Sequence, residues 1–347
     1  MNVGLVGCGR VSEIHMNAYK NIPEANVIAV SDINIDRAKA FAQKYGIKKI
    51  YDDALKLFEM KDLDFADICT PITTHAKLAC EAAEYGHNIF LEKPMARNTK
   101  ECDEIINEIS KNKVKLCICH NQLFLPPVMQ AKAMVDSGNF PLSYFKVSVR
   151  ESAELIGAPN WIMTPEQGGA LWETGTHATY LQLHFLKDIN KVWAIGEKVK
   201  HAVHDHFIVM LMNSEKTLGV IEISWLAKKG EIIFELIDSN GKTIQILNYS
   251  FFLQFPEKRE KHILQGFYRD QKLITKKWIK FLTNNLRNYN MRECLPQHIL
   301  INKFMDSIRN DSDPPVTPQD GRRTVRLLEY IEESLKRNEP VKVGEDL

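Results

Sequence analysis

Long apolar runs are missing from this chain: none of its 347 residues belongs to a stretch near the ~20 that a membrane span requires, which argues against a membrane protein. A disulfide framework is missing too. Seven cysteines, an odd number without regular spacing, suit reduced thiols in the cytoplasm. Cys117 and Cys119 alternate in an apolar strand without a second pair, so no metal site is expected there. Charge of one sign is absent: 45 basic against 44 acidic residues leave a net +1, and no whole-chain field points to nucleic acid. No signal-peptide or transit pattern opens the sequence, and no repeat or low-complexity tract interrupts it. What is present is ordinary globular composition, 44% apolar and 26% charged, with length for two domains.

The two halves have different rhythms. Up to about Asn121, short apolar runs (Val3 to Val6, Val27 to Val30, Phe65 to Cys69, Asn88 to Leu91, Leu116 to Ile118) alternate with helical patterns. The runs are nearly continuous, as in parallel strands covered on both faces. Gly46 and Gly86 close two of the helices, and Thr99 stands where an N-cap belongs. This predicts a doubly wound α/β domain over residues 1–121. After Pro126-Pro127 a helix to Ser137 leads into strand-like runs at Tyr144 to Val149, Lys191 to Ile195, Phe207 to Met212, Thr217 to Ser224, Ile232 to Ile237 and Lys242 to Leu247. Turns are expected at Asn213 to Lys216 and Ser239-Asn240-Gly241, and helices at Lys272–Arg287, Gln297–Arg309 and Thr317–Lys336. Residues 122–347 therefore read as an α+β domain with a large, mostly antiparallel sheet.

Three groups of residues carry chemistry. Gly7-Cys8-Gly9-Arg10-Val11-Ser12 follows the first strand and opens a helix, a dinucleotide fingerprint with serine in the third small position. Asp32 ends the second strand, placed for a ribose 2′-hydroxyl, which favours NAD; Arg37 is a possible contact for NADP. Glu92-Lys93-Pro94 puts a lysine just past a buried strand. Gly168-Gly169 is followed by Glu173 and His177, spaced to share a helix face. A neutral imidazole can take a hydroxyl proton, and an ammonium can stabilise the alkoxide that forms. His201, His204 and His206 lack a carboxylate or cysteine at ligand spacing, and His184 continues an apolar stripe. The basic, aromatic stretch Lys258 to Arg292 reads as a solvated helix face, with a nucleotide-sugar diphosphate as its ligand otherwise.

Gly7-Cys8-Gly9 with His15, Thr70-Pro71 with His75, Glu92-Lys93-Pro94, and Gly168 through His177 occur in an order that resembles the glucose–fructose oxidoreductase and inositol dehydrogenase family, Gfo/Idh/MocA, over essentially the whole chain. The resemblance implies an NAD(P)-dependent dehydrogenase acting on a sugar, sugar derivative or cyclitol, assembled as a homodimer or homotetramer through the C-terminal sheet. It also implies that Thr70, Pro71 and His75 lie beside the nicotinamide. Glu92, Arg10, Val11, Asn121 and Trp161 would contact the cofactor, and Lys93, its direction fixed by a typically cis Lys-Pro peptide, would reach the reacting hydroxyl. His177 would be the acid/base, Glu173 its orienting carboxylate, and Tyr180 a substrate contact. Departures are Glu173 and Tyr180 where aspartates are common, Ile162 in place of arginine, and Gln122-Leu123 in place of Arg-Arg. They leave a nucleotide-sugar dehydrogenase, a non-catalytic cofactor sensor and redox-assisted lyase or glycosidase chemistry as competing readings.

Overall fold

The computed structural model describes residues 1–157, 160–165, 167–248, 250–254 and 295–347, with only the backbone at 160, 161 and 250–254. The first strands, β1 (Asn2–Val6), β2 (Asn26–Ser31), β3 (Lys49–Tyr51), β4 (Phe65–Ile68), β5 (Asn88–Leu91) and β6 (Leu116–Ile118), form a parallel sheet in the order β3-β2-β1-β4-β5-β6. Between them run α1 (Arg10–Tyr19), α2 (Ile35–Tyr45), α3 (Ala54–Phe58), α4 (His75–Glu84) and α5 (Thr99–Asn112). The strand order reverses between β1 and β4, and a ligand crevice opens at the carboxyl ends of the strands where the order switches. The fingerprint loop, Thr70-Pro71, Glu92-Lys93-Pro94 and Asn121 all follow such ends.

The apolar runs are strands for the expected reason: Leu5, Phe65, Ile89, Phe90 and Leu116 are fully buried. Gly46 takes the left-handed C-cap of α2. Strand β3 was not visible in the pattern because it is an edge strand of three residues. The N-cap of α5 is Asn98, whose side chain accepts the Glu101 N–H, rather than Thr99. Thr99 instead gives its own N–H and hydroxyl to Glu329, a partner far away in sequence.

The chain continues through α6 (Pro126–Asp136) and β7 (Leu142–Ser152) to a π-helical turn, Leu171–Gly175, that runs into α7 (Thr176–Leu186). Then come β8 (Ile189–Glu197), β9 (His206–Asn213), β10 (Leu218–Ser224), β11 (Leu226–Asp238), β12 (Thr243–Leu247) and β13 (Ser250–Gln254). The last elements are α8 (Leu295–Arg309), α9 (Pro318–Arg337) and β14 (Val341–Lys342). The second sheet has the order β13-β12-β11-β7-β10-β9-β8-β14, antiparallel except for the β7/β10 pair. The two expected turns join β9 to β10 and β11 to β12. The helix expected at 272–287, and the basic stretch 258–292, lie outside the described residues. Among those described, no helix is long and apolar enough to cross a membrane.

The two late helices return to the first sheet. On α8, Phe304 packs its ring 5.5 Å from Phe65 and 5.8 Å from Phe90. Helix α9 starts with a capping box between Thr317 and Asp320, and its Gly321 lets it close on β6: a Cβ there would lie 2.8 Å from Ile118 and 2.9 Å from Met95. These contacts brace the strand ends that carry the candidate site.

Candidate active site

The loop after β1 is shaped by its glycines. Gly7 has φ +91°, and a Cβ there would lie 2.8 Å from the Cys69 carbonyl oxygen. Gly9 is the N-cap of α1 without a side-chain cap, and a Cβ on it would meet nothing within 4 Å. Uncapped first-turn amides beside open space suit a pyrophosphate, so the residues present fit a dinucleotide. Buried Asp32 is fixed at the end of β2 by the Cys8 N–H at 2.9 Å and the Asn34 N–H at 2.8 Å. Arg37 pairs with the same carboxylate at 3.4 Å. Val11 is half-buried in α1, and Arg10 reaches across to the Ile156 carbonyl.

Past β4 and β5 the loops are tied together. His75 is buried with Nδ1 2.8 Å from the Pro94 carbonyl oxygen and Nε2 2.9 Å from that of Thr70, so its ring is committed to the protein backbone. Burial lowers its pKa. Pro71 is exposed at the mouth, and the Lys93-Pro94 peptide is cis. Glu92 does not present a free carboxylate to the crevice. Its Oε2 accepts the Lys93 N–H at 3.0 Å and its Oε1 lies 3.0 Å from His15 Nε2. His15 Nδ1 is in turn 2.9 Å from Asp67, which also accepts the Tyr19 hydroxyl at 2.7 Å. His15 and Asp67 have no exposure.

An imidazole between two carboxylates holds a proton on each nitrogen. Burial opposes the charge on His15, yet Asp67 and its other neighbours outweigh burial, and the pKa rises well above the usual histidine range. Burial would raise Glu92, but His15 draws it down to about 2. His15 with Glu92 and Cys119, or with Asp67 and Cys69, has the side-chain types of a metal site. The 2.9 and 3.0 Å contacts have hydrogen-bond length, and the raised His15 pKa favours a proton on each ring nitrogen.

On the other wall, Glu173 and His177 share a cleft of about 250 Å³ with Arg10, Gln122, Glu151 and Thr174. They do not pair with each other. The wider i→i+5 turn at Leu171–Gly175 breaks the spacing that would stack residues four apart. Glu173 instead pairs with Lys93 Nζ at 3.0 Å, and the same ammonium donates to the Glu173 carbonyl at 3.2 Å. Tyr180 supplies the partner for the imidazole: its hydroxyl lies 2.7 Å from His177 Nδ1, accepts the Gln122 N–H at 3.1 Å and donates to Asn121 Oδ1 at 3.2 Å. With the phenolic proton on Asn121, Nδ1 of His177 carries the hydrogen and Nε2 is left as acceptor. Tyr180, expected as a substrate contact, is 2% exposed and stacks on His120 at 4.3 Å. The side chain of Trp161 lies outside the described residues.

Glu151 was missed. It accepts the Thr174 hydroxyl at 2.7 Å, and burial raises its pKa against the pull of that bond. The signal was available, since Glu151 continues the inward parity of Phe145, Val147 and Val149 on β7. His177 is lowered well below the usual range, first by burial and then by the Lys93 ammonium. A base of that kind stays neutral as pH falls below about 6.5, so the acid limb of alcohol oxidation is expected below that value. Lys93→Met removes the repulsion that disfavours the imidazolium. A pH–rate profile of this variant is expected to show the acid limb moved upward; a limb that stays put or falls contradicts the pairing.

Residues 1–120 match an oxidoreductase family with an NAD-binding Rossmann fold, and residues 128–244 match the GFO/IDH/MocA C-terminal domain. The chain belongs to the GFO/IDH/MocA family. Its members here include the myo-inositol 2-dehydrogenase of Thermotoga maritima, 24% identical over 354 residues and 99% of each chain. The D-apiose dehydrogenase of Paraburkholderia graminis is 23% identical over 242 residues, 68% of this chain and 64% of that one. The WlbA dehydrogenase of Bordetella pertussis, solved with NADH and UDP-GlcNAcA, shares the fold with TM-score 0.82 at 18% identity, covering 99% of this chain and 98% of its own. This GFO/IDH/MocA protein is an NAD(P)-dependent oxidoreductase acting on CH–OH groups.

Proposed function

We propose that the enzyme moves hydride between a nicotinamide and a carbinol carbon of a monosaccharide, sugar derivative or cyclitol. The observation that carries this is the Lys93 ammonium, locked at 3.0 Å to Glu173, which lines one small cleft together with His177. The relatives named for inositol and apiose support the substrate class. A cleft of about 250 Å³ also suits a single ring better than a nucleotide sugar, since larger ligands take about 300–1,000 Å³. When bound, the dinucleotide supplies a hydride acceptor or donor at nicotinamide C4. Gly7, Gly9, Arg10, Val11 and Asp32 hold its phosphate and ribose end, with Thr70, Pro71 and Asn121 nearer the nicotinamide. The Asp32 carboxylate favours NAD, and Arg37 beside it is the residue that would admit NADP. His75 and Glu92 act on the cofactor side through the backbone they hold. In the oxidising direction His177 Nε2 takes the hydroxyl proton while the Lys93 ammonium donates to the forming alkoxide, and Glu173 keeps that ammonium aimed. Reduction runs the same transfers backwards.

We place the domain boundary at residues 121 and 122. The open face of the second sheet supports a homodimer or homotetramer: Trp193 (39% exposed) lies opposite Met210 (41%), and Ile195 (48%) opposite Ile208 (46%). A patch of that kind on a sheet face is a typical subunit surface. Six free cysteines among the described residues support a reducing, cytoplasmic setting.

The test is turnover. Full-length protein is incubated with NAD or NADP and a panel of aldoses, inositols and UDP-sugars, with reduced cofactor followed by absorbance. Sustained reduction with a free sugar or inositol, faster with NAD, is expected. Turnover confined to UDP-sugars would sink the substrate class. Tight cofactor binding with no turnover would favour a sensor, and product without net cofactor change would favour redox-assisted elimination.

A further inference from the structure

Behind the His177 wall lies a second cavity of about 530 Å³, larger than the substrate cleft and sharing none of its lining residues. It opens between α6, α7, α8 and the start of α9, and its inner wall is the stacked pair His120 and Tyr180. Its volume is within the about 300–1,000 Å³ range of small-molecule sites.

The charges facing it are unevenly spent. Lys132, Lys303 and Arg323 line the cavity against Asp136 and Asp320. Asp136 is paired with Lys132. Asp320 is turned to the helix cap, where it accepts the Thr317 N–H at 2.9 Å and hydroxyl at 2.8 Å. Arg323 is already engaged, donating to the main-chain oxygens of Leu347 and Lys187. Lys303 is exposed and makes no ion pair among the described residues. Phe124, Met129, Leu183 and Val316 supply apolar wall between these groups.

His120 adds an independent sign of a ligand. It is 1% exposed, its Nε2 has no hydrogen-bond partner among the described residues, and it lines this cavity. A buried polar atom left unpaired is destabilising unless something fills the place. Burial lowers the His120 pKa to about 3, so the ring is a neutral group ready to donate or accept one bond.

We propose that this cavity binds a small organic anion, a carboxylate or phosphate ester with an apolar body, and that its occupancy is transmitted to His177 through His120 and Tyr180. The link is physical: the Tyr180 ring lies against His120 with 16° between planes, while its hydroxyl is 2.7 Å from His177 Nδ1. A ligand bonded to His120 and Lys303 shifts that stack, and the position of the phenol sets the tautomer of the imidazole. The transmission rests on His177 as the acid/base; the binding does not.

Titration calorimetry on the full chain separates the two. The probes are benzoate, phenyl phosphate and inorganic phosphate. Benzoate or phenyl phosphate is expected to bind, and whichever does names the head group. Lys303→Glu is expected to weaken binding at least tenfold, and Ala133→Trp, at the cavity wall, to abolish it, both with basal turnover unchanged. No binding by either organic probe, binding that ignores both variants, or equal binding of inorganic phosphate overturns the site. Transmission is read from the His177 imidazole NMR resonances, which need no substrate. Saturating probe is expected to shift them in the native protein and not in Tyr180→Phe. Unmoved resonances in the native protein overturn the transmission even if the probe binds and whatever the substrate proves to be.

Discussion

His177→Ala is expected to lower kcat for alcohol oxidation by about 10²–10⁴-fold, the contribution of one positioned base. That corresponds to about 3–5 kcal/mol of barrier. The effect should fall on kcat rather than on cofactor affinity, because the imidazole lines the substrate cleft and is held by Tyr180. The check is steady-state kinetics with NAD dissociation measured separately by fluorescence. A loss below tenfold, or one that appears mainly as weaker NAD binding, would remove His177 from the chemistry. Tyr180 sharpens this expectation. A phenol holds the ring by a neutral bond, and burial and the Lys93 ammonium outweigh the pull of Glu92 toward the charged form. The residue is therefore a base over the whole neutral range.

Asp67→Asn is expected to destabilise the protein by about 3–5 kcal/mol, the effect of breaking a buried ion pair from one side. Both ring nitrogens of His15 donate to carboxylates, and neither partner can turn to water. The pH dependence follows from the direction of each shift. His15 is raised, so its contribution is complete below the unfolded value near 6.5 and is lost as pH climbs through the folded value. Glu92 is lowered to about 2, so its contribution is complete above its ordinary 4.5 and is lost as pH drops toward about 2. Urea denaturation at pH 5.5, 7 and 9.5 should therefore show the native-to-variant difference largest at the two lower values. A difference under about 1 kcal/mol at pH 5.5 would mean that the proton is not shared in this way. Activity should fall as well, since Glu92 holds the Lys93 amide.

The first sheet was legible because parallel strands buried on both faces leave uninterrupted apolar runs, and only the short edge strand β3 escaped. The site was legible in its residues and not in its pairings. Glu173 and His177 stand four apart, which in an α-helix brings them together; the π turn between them could not be read from composition, and it sends one to Lys93 and the other to Tyr180. His15 could be quoted as part of a motif, but its role depends on Asp67, which lies on β4 rather than on its own helix. Asp67 did carry a local sign, a carboxylate inside an otherwise apolar buried strand, which calls for a partner. Thr99 and Glu329 show the general limit: a donor next to a helix start was read as a local cap, while its acceptor lay 230 residues away.

The seating of Phe304 on Phe65 and Phe90 has a consequence for how this protein is made. The strands β4 and β5 leave the ribosome early, with one side of their aromatic core still open. The helix that closes it is encoded more than two hundred residues later. The nucleotide half cannot reach its finished form during synthesis, so it must be shielded or wait, and a fragment cut after residue 121 would carry an unsealed, sticky seam. Such a chain is inherited and engineered as one piece: swapping its front half onto another back half succeeds only if the late aromatic is brought along.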